Sequence, residues 1–161
     1  MVGNLKKFLK FLFLILILNF LLSFLGSYVD KDCVRLEVFK DLVVGFRSSE
    51  VPLKEKILFF VILYFVALEE EFLFRVLPCW FLPKMFSFLV SSLGFGLSHM
   101  FLYVDGKIYF ERSLFHVISY SVIGAVFWLS YRNFSKMRYL WNTNLHFTTN
   151  AIIFLVALFS T

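Results

Sequence analysis

The chain has 161 residues, 60% of them apolar and 21% aromatic, with 24 phenylalanines and a formal net charge of +5. A water-soluble domain of this size needs far less apolar surface, and the Lys and Arg residues stand largely between apolar runs rather than in a stripe interleaved with aromatics. The composition therefore excludes a nucleic-acid binder and predicts an integral membrane protein. The runs suit helices, not the short alternating strands of a barrel. The predicted fold class is all-α, a polytopic transmembrane helical bundle of about five spans. Residues 1–56 read as an N-terminal anchor with a polar/amphipathic connection, and 57–161 as the helical core.

Lys6, Lys7 and Lys10 precede an apolar run from Phe11 to about Val29. A secretory signal has the same charge order but an apolar core of only about 7–15 residues, so this run is expected to be a retained first span. Asp30 to Lys56 mixes acidic and basic residues equally and is expected outside the bilayer, with an interfacial amphipathic helix around Val34 to Phe46. The second span opens with Ser48 or Ser49 as a cap and Pro52 in the first turn, and runs from Ile57 to about Leu77. Pro78 and Pro83 bracket an expected short turn with an interfacial Trp80. The third span extends from Lys84 to about Val104, with Ser87, Ser91, Ser92, Gly94 and Gly96 suited to close helix contact. After a polar turn from Asp105 to Arg112, the fourth span covers about Ser113 to Tyr131 and contains Ser121, Gly124 and Ala125. A basic turn, Arg132 to Arg138, leads into the fifth, about Tyr139 to Phe159. The basic turns favour a cytoplasmic N-terminus, although Lys and Arg divide equally between the two sides. Cys33 and Cys79 show no metal spacing, and no disulfide is expected.

Within the second span stand Glu69, Glu70, Glu71 and Arg75. A charge at mid-bilayer costs about 2.5–3.5 kcal/mol on insertion scales, against about 0.3–0.6 kcal/mol gained per large apolar residue. The cluster must therefore face other helices or water. Glu71 and Arg75 are one turn apart with the acid first, the favourable order for an ion pair. Glu70 points about 100° away from Glu71, which suits it to take a proton from water; Glu69 faces a wetter side. A purely structural ion-pair network remains the alternative for any intramembrane acid cluster.

Two further spans carry polar residues at one-turn spacing: Phe95 with His99, and His146 with Asn150. A lone intramembrane histidine is ordinarily a hydrogen-bonded packing residue. Three spans each offering inward polar groups must find partners in one another. His116, in the fourth span, fits no such pattern and reads as structural.

Glu70-Glu71-x-x-x-Arg75, Phe95-x-x-x-His99 and His146-x-x-x-Asn150, in that order over about Ile57 to Leu155, resemble the three motifs of the CPBP intramembrane proteases. This is the Abi family, which includes CAAX-processing Rce1-type endopeptidases and bacteriocin-immunity proteins. The resemblance implies that Glu70 with His99 activates a water for attack on a peptide carbonyl. Glu71 and Arg75 would form a supporting pair, and His146 and Asn150 would stabilise the oxyanion. It further implies a peptide or protein substrate, contact with membrane lipid, and residence in the cytoplasmic membrane of a bacterium. No nucleic-acid partner follows from it, and the oligomeric state stays open.

No cofactor is expected. The family is widely labelled as metalloproteases, and a divalent metal such as zinc would take Glu70, His99 and His146 as ligands. Against this, the chain has no His-Glu-x-x-His helix, and Arg75 one turn from Glu71 would repel a cation. With about five spans the chain is also shorter than many members. Helix counting puts His99 roughly 10 Å deeper than Glu70, so stagger, tilt or a bend near Gly94 and Gly96 is required. The rival to an endopeptidase is a non-catalytic membrane protein, an immunity, peptide-binding or scaffold factor; a proton-relay or transport component is a third reading.

Overall fold

A computed structural model of the chain describes residues 2–29, 34–48, 50–104, 107–110, 113–135 and 137–160. Cys33, the alternative cap Ser49, the Asp105 and Arg112 ends of the expected polar turn, and Lys136 lie outside the described residues. The elements are α1 (Val2–Val29), α2 (Val34–Arg47) and α3 (Leu53–Glu71). The chain continues through a π-helical turn (Phe72–Val76) into α4 (Leu77–Phe81). Next come α5 (Lys84–Leu89), a second π-helical turn (Val90–Gly94) and α6 (Phe95–Ser98). A hairpin of β1 (Phe101–Val104) and β2 (Lys107–Phe110), then α7 (Leu114–Asn133) and α8 (Arg138–Ser160), complete the fold. The class is all-α with one small hairpin.

Its polarity is inverted relative to a soluble protein. Phe13, Phe20, Phe65 and Phe159 are exposed on helix faces, whereas Glu71, Arg75, Ser130, Asn142 and Thr143 are wholly buried. Exposed apolar faces around a polar interior suit lipid, where every polar group must be satisfied inside the protein. Two helices are long and apolar enough to cross a bilayer among the described residues, Gly3–Gly26 and Leu114–Asn133. Among the other expected spans, α3 carries the charges Lys54, Glu55, Lys56, Glu69, Glu70 and Glu71, and the segment Lys84–Ser98 is short.

Several boundaries differ from expectation. The third apolar segment ends as a helix at Ser98, not Val104, and reaches only about 22 Å at 1.5 Å per residue, short of a hydrocarbon core of roughly 30 Å. The β-branched and aromatic run after Met100 pairs as a hairpin instead, with Phe101 opposite Phe110 and their rings 5.5 Å apart. The expected turn between the two prolines is helical through Phe81, and only Leu82 and Pro83 are extended. Pro52 is the N-cap of α3, while Ser48 accepts a hydrogen bond from the amide of Glu50 instead of capping the helix.

Pro78 sits inside this helical rod at a specific consequence. Its missing N–H deprives the carbonyl of Phe74 of its α-helical partner, and the Ser91 hydroxyl of the neighbouring helix donates to that carbonyl. The rod and the α5–α6 segment are thereby tied together. Close approach of α6 and α7 depends on two glycines. A Cβ on Gly96 would meet the Ser121 hydroxyl and stand 2.6 Å from the carbonyl of Val117, and one on Gly124 would stand 2.7 Å from the carbonyl of Ser91. The apolar core joins Phe11 and Ile15 of α1 to Phe95, Phe127 and Leu145. The start of α1 is anchored where α7 turns toward α8, through Lys7 Nζ donating to the carbonyl of Asn133 at 2.6 Å and Ser135 Oγ donating to Asn4 at 3.0 Å.

Candidate active site

The acid cluster lies where α3 gives way to the π-helical turn. Glu69 is exposed, Glu70 keeps 24% of its side-chain surface, and Glu71 keeps none. Three consecutive carboxylates thus occupy three environments, as the 100° step per residue requires. Glu71 and Arg75 approach to 3.6 Å, both fully buried. The Arg75 guanidinium carbon lies 4.4 Å from the Phe95 ring centre and 5.3 Å from that of Phe127. Its nitrogens have no hydrogen-bond partner among the described residues, so the cation is held by Glu71 and by two aromatic rings.

Glu71 is the hub of a wider network. Its Oε1 is 3.0 Å from Nδ1 of His146, and its Oε2 accepts from the side-chain amide of Asn142. Asn142 also donates to the carbonyl of Phe127 at 3.2 Å and accepts from the Ser130 hydroxyl. All members are buried. Because a carboxylate only accepts, Nδ1 of His146 carries a proton and its Nε2 faces outward. That Nε2 is 3.4 Å from Oε2 of Glu70.

His99 arrives from the end of α6. Its Nδ1 lies 2.8 Å from the carbonyl of Phe95, another obligate acceptor, so Nδ1 is again the protonated nitrogen. Its Nε2 is 3.9 Å from Oε1 of Glu70. The ring stacks on Tyr120 at 4.0 Å and contacts Phe95 at 4.3 Å. The depth mismatch expected from helix counting does not keep the two groups apart, since Nε2 of His99 lies within 3.9 Å of Glu70. Two imidazoles therefore turn Nε2 toward the two oxygens of one carboxylate.

This arrangement lies in the wall of a cavity of about 650 Å³. Glu70, His99, His146 and Asn150 line it, and apolar residues of α1, α2, α3, α7 and α8 make up most of the rest. His116, read from sequence as structural, also lines the cavity, with its ring 4.6 Å from that of Tyr120. The structure thus brings Glu70, His99 and His146 together, sets Glu71 and Arg75 behind them, and places Asn150 on the cavity wall one turn beyond His146. Among the described residues, no group of three or more His, Cys, Asp or Glu side chains has a geometry that would hold a metal ion as it stands. Glu70, His99 and His146 are the groups whose donor atoms converge, and they would be the ligands of any bound cation.

Sequence reasoning missed Asn142, Ser130 and Tyr120. Asn142 had a usable signal, since it stands one turn before His146 as Asn150 stands one turn after. Ser130 and Tyr120 sit on α7, which carries no motif, and nothing local in the sequence marks them.

The model of a family described as type II CAAX prenyl endopeptidase Rce1-like matches residues 52–152. No curated protein and no solved structure matches the chain.

Proposed function

The chain belongs to the type II CAAX prenyl endopeptidase Rce1-like family, and we propose on that premise that it is an intramembrane endopeptidase that hydrolyses a peptide bond with a carboxylate-activated water. The substrate is a peptide or a membrane-associated protein whose chain enters the cavity from the lipid side. The observation that carries this reading is the convergence of Nε2 of His99 and Nε2 of His146 on the Glu70 carboxylate, at 3.9 and 3.4 Å, in the wall of that cavity.

In the mechanism, a water held by Glu70 and His99 loses a proton to Glu70 as its oxygen bonds to the peptide carbonyl carbon. The developing oxyanion is met by a protonated Nε2 of His146 and by the Asn150 amide. Donors aimed at such charge in a dry site are worth about 3–4 kcal/mol each. As the carbon–nitrogen bond breaks, the proton passes from Glu70 to the departing amine. Glu71 accepts from Nδ1 of His146 and so holds the ring with its Nε2 edge toward the oxyanion, to which the ring donates with both nitrogens protonated, and Arg75 balances the charge of Glu71. The chemistry is metal-independent, because every group it needs is a side chain already in place and Arg75 keeps a fixed positive charge one turn from Glu71. The bundle crosses the cytoplasmic membrane of a bacterium about five times with its N-terminus inside.

The test compares membrane and released peptides by mass spectrometry in cells expressing the wild-type chain or Glu70→Gln at equal abundance. A peptide or shortened protein present only with wild type supports proteolysis and names the substrate. Identical profiles with both proteins folded would overturn the reading and favour a non-catalytic immunity or scaffold role.

A further inference from the structure

The α7 wall of the cavity carries polar residues that the chemistry above does not use. Ser119 lines it and is 8% exposed. Helical hydroxyls in this chain commonly donate to a carbonyl three or four residues back. Ser92 does so to Phe88 and Thr149 to Leu145, each at 2.8 Å. The Ser119 hydroxyl makes no such bond and has no hydrogen-bond partner among the described residues. Buried polar groups left in this condition are rare in native proteins and call for a specific explanation.

His116 stands three residues earlier, on the same face of α7, and lines the same wall. Its ring centre is 4.6 Å from that of Tyr120, which in turn lies 4.0 Å from that of His99. His116 and His99 are thus no more than about three residues of extended peptide apart, at roughly 3.3–3.6 Å per residue. A peptide drawn into an apolar cavity brings carbonyl oxygens that lose their water, and these require donors. The apolar neighbours Leu22, Phe115 and Ile123 strengthen any hydrogen bond formed there by excluding water.

Resting on the reading that this cavity binds a peptide, we infer that Ser119 and His116 form a substrate subsite. They donate hydrogen bonds to a backbone carbonyl or terminal carboxylate oxygen of the bound chain, up to three residues from the scissile bond. The subsite sets which stretch of peptide is presented to Glu70.

The experiment titrates full-length Glu70→Gln protein in lipid nanodiscs with acetyl-Val-Ala-Leu, bearing a free carboxylate, and with its C-terminal amide. Ser119→Ala, added to that background, is expected to weaken binding about 5–10-fold. His116→Phe, which keeps an aromatic ring against Tyr120, is expected to do the same. A preference of tenfold or more for the free carboxylate that disappears in Ser119→Ala identifies a terminal carboxylate. Equal affinities for the two peptides, equally weakened, identify a backbone carbonyl. Unchanged binding in both folded variants, or no binding of either peptide to the parent, overturns the subsite. Since this readout uses inert protein, absence of cleavage by wild type would overturn the proposed reaction separately and leave a measured subsite intact.

Discussion

His146 and Glu71, 75 positions apart in sequence, meet at 3.0 Å through Nδ1 and Oε1 at the contact of α3 and α8. This contact fixes which nitrogen of His146 faces Glu70, and in the mechanism proposed above it lets a residue that does not touch substrate govern one that does. In the proposed mechanism, Asn142→Leu removes a hydrogen bond to the charged Glu71, an interaction worth about 1.5–3 kcal/mol. The expected result is a kcat lowered about 10–100-fold with KM little changed, and a displaced pH–rate profile. An unaltered profile in a folded Asn142→Leu protein would show that the amide serves packing alone.

Glu70→Gln keeps the shape of the side chain and removes its ability to take a proton. Cleavage is expected to fall about 10²–10⁴-fold, the contribution of a positioned general base. Thermal unfolding in detergent should stay close to wild type, because Glu70 retains solvent exposure and lies outside the Glu71–Asn142–Ser130 network. A large loss of melting temperature would instead assign Glu70 a structural role.

Arg75→Met leaves Glu71 as an uncompensated buried charge and is expected to destabilise the protein by about 3–5 kcal/mol. Removing both charges, with Glu71→Gln and Arg75→Met together, should recover much of that loss without recovering activity. Chemical denaturation of the single and double variants checks the order, and a double variant less stable than either single one would count against the pairing.

Gly96→Ala forces a methyl group against Val117 and Ser121 where α6 and α7 touch. Overpacking of this kind costs about 1–3 kcal/mol. It should also lower activity, because His99 is the C-cap of α6. Gly94→Ala is the control: its nearest neighbour, a Phe74 ring carbon, is 3.6 Å away, an ordinary contact. Equal stability of the two variants would argue against the close approach.

Treatment with a chelator such as 1,10-phenanthroline is expected to leave cleavage unchanged. Loss of activity restored by added zinc would replace the water-activating role of Glu70 with metal ligation by Glu70, His99 and His146.

The parts of the fold that were legible in sequence are those written in local periodicity. The run preceding Val29, the amphipathic stretch from Val34 and the last two long helices fall within a few residues of expectation, apart from the start of α1. The pairing of Glu71 with Arg75 was legible for the same reason, being a contact within one turn. What escaped notice depends on contacts between helices. The helix ends at Ser98 because the residues beyond Met100 pair across a hairpin, and apolar character alone does not distinguish a strand from a short continuation of a helix. Both π-helical turns are invisible to a count of 3.6 residues per turn, yet they lie in the two helices that bring Glu70 to His99. Ser130 and Asn142 gain meaning only when α7 and α8 lie side by side.

The hydroxyl that Ser91 lends to the carbonyl of Phe74 bears on how the chain enters a membrane. A rod ending near Pro78 with an orphaned carbonyl, and a segment too short to cross alone, are each poor candidates for independent insertion. Together they satisfy one another. Residues 53–98 are therefore expected to enter the bilayer together as one helical hairpin, bringing Glu70 and His99 in before α7 and α8 follow.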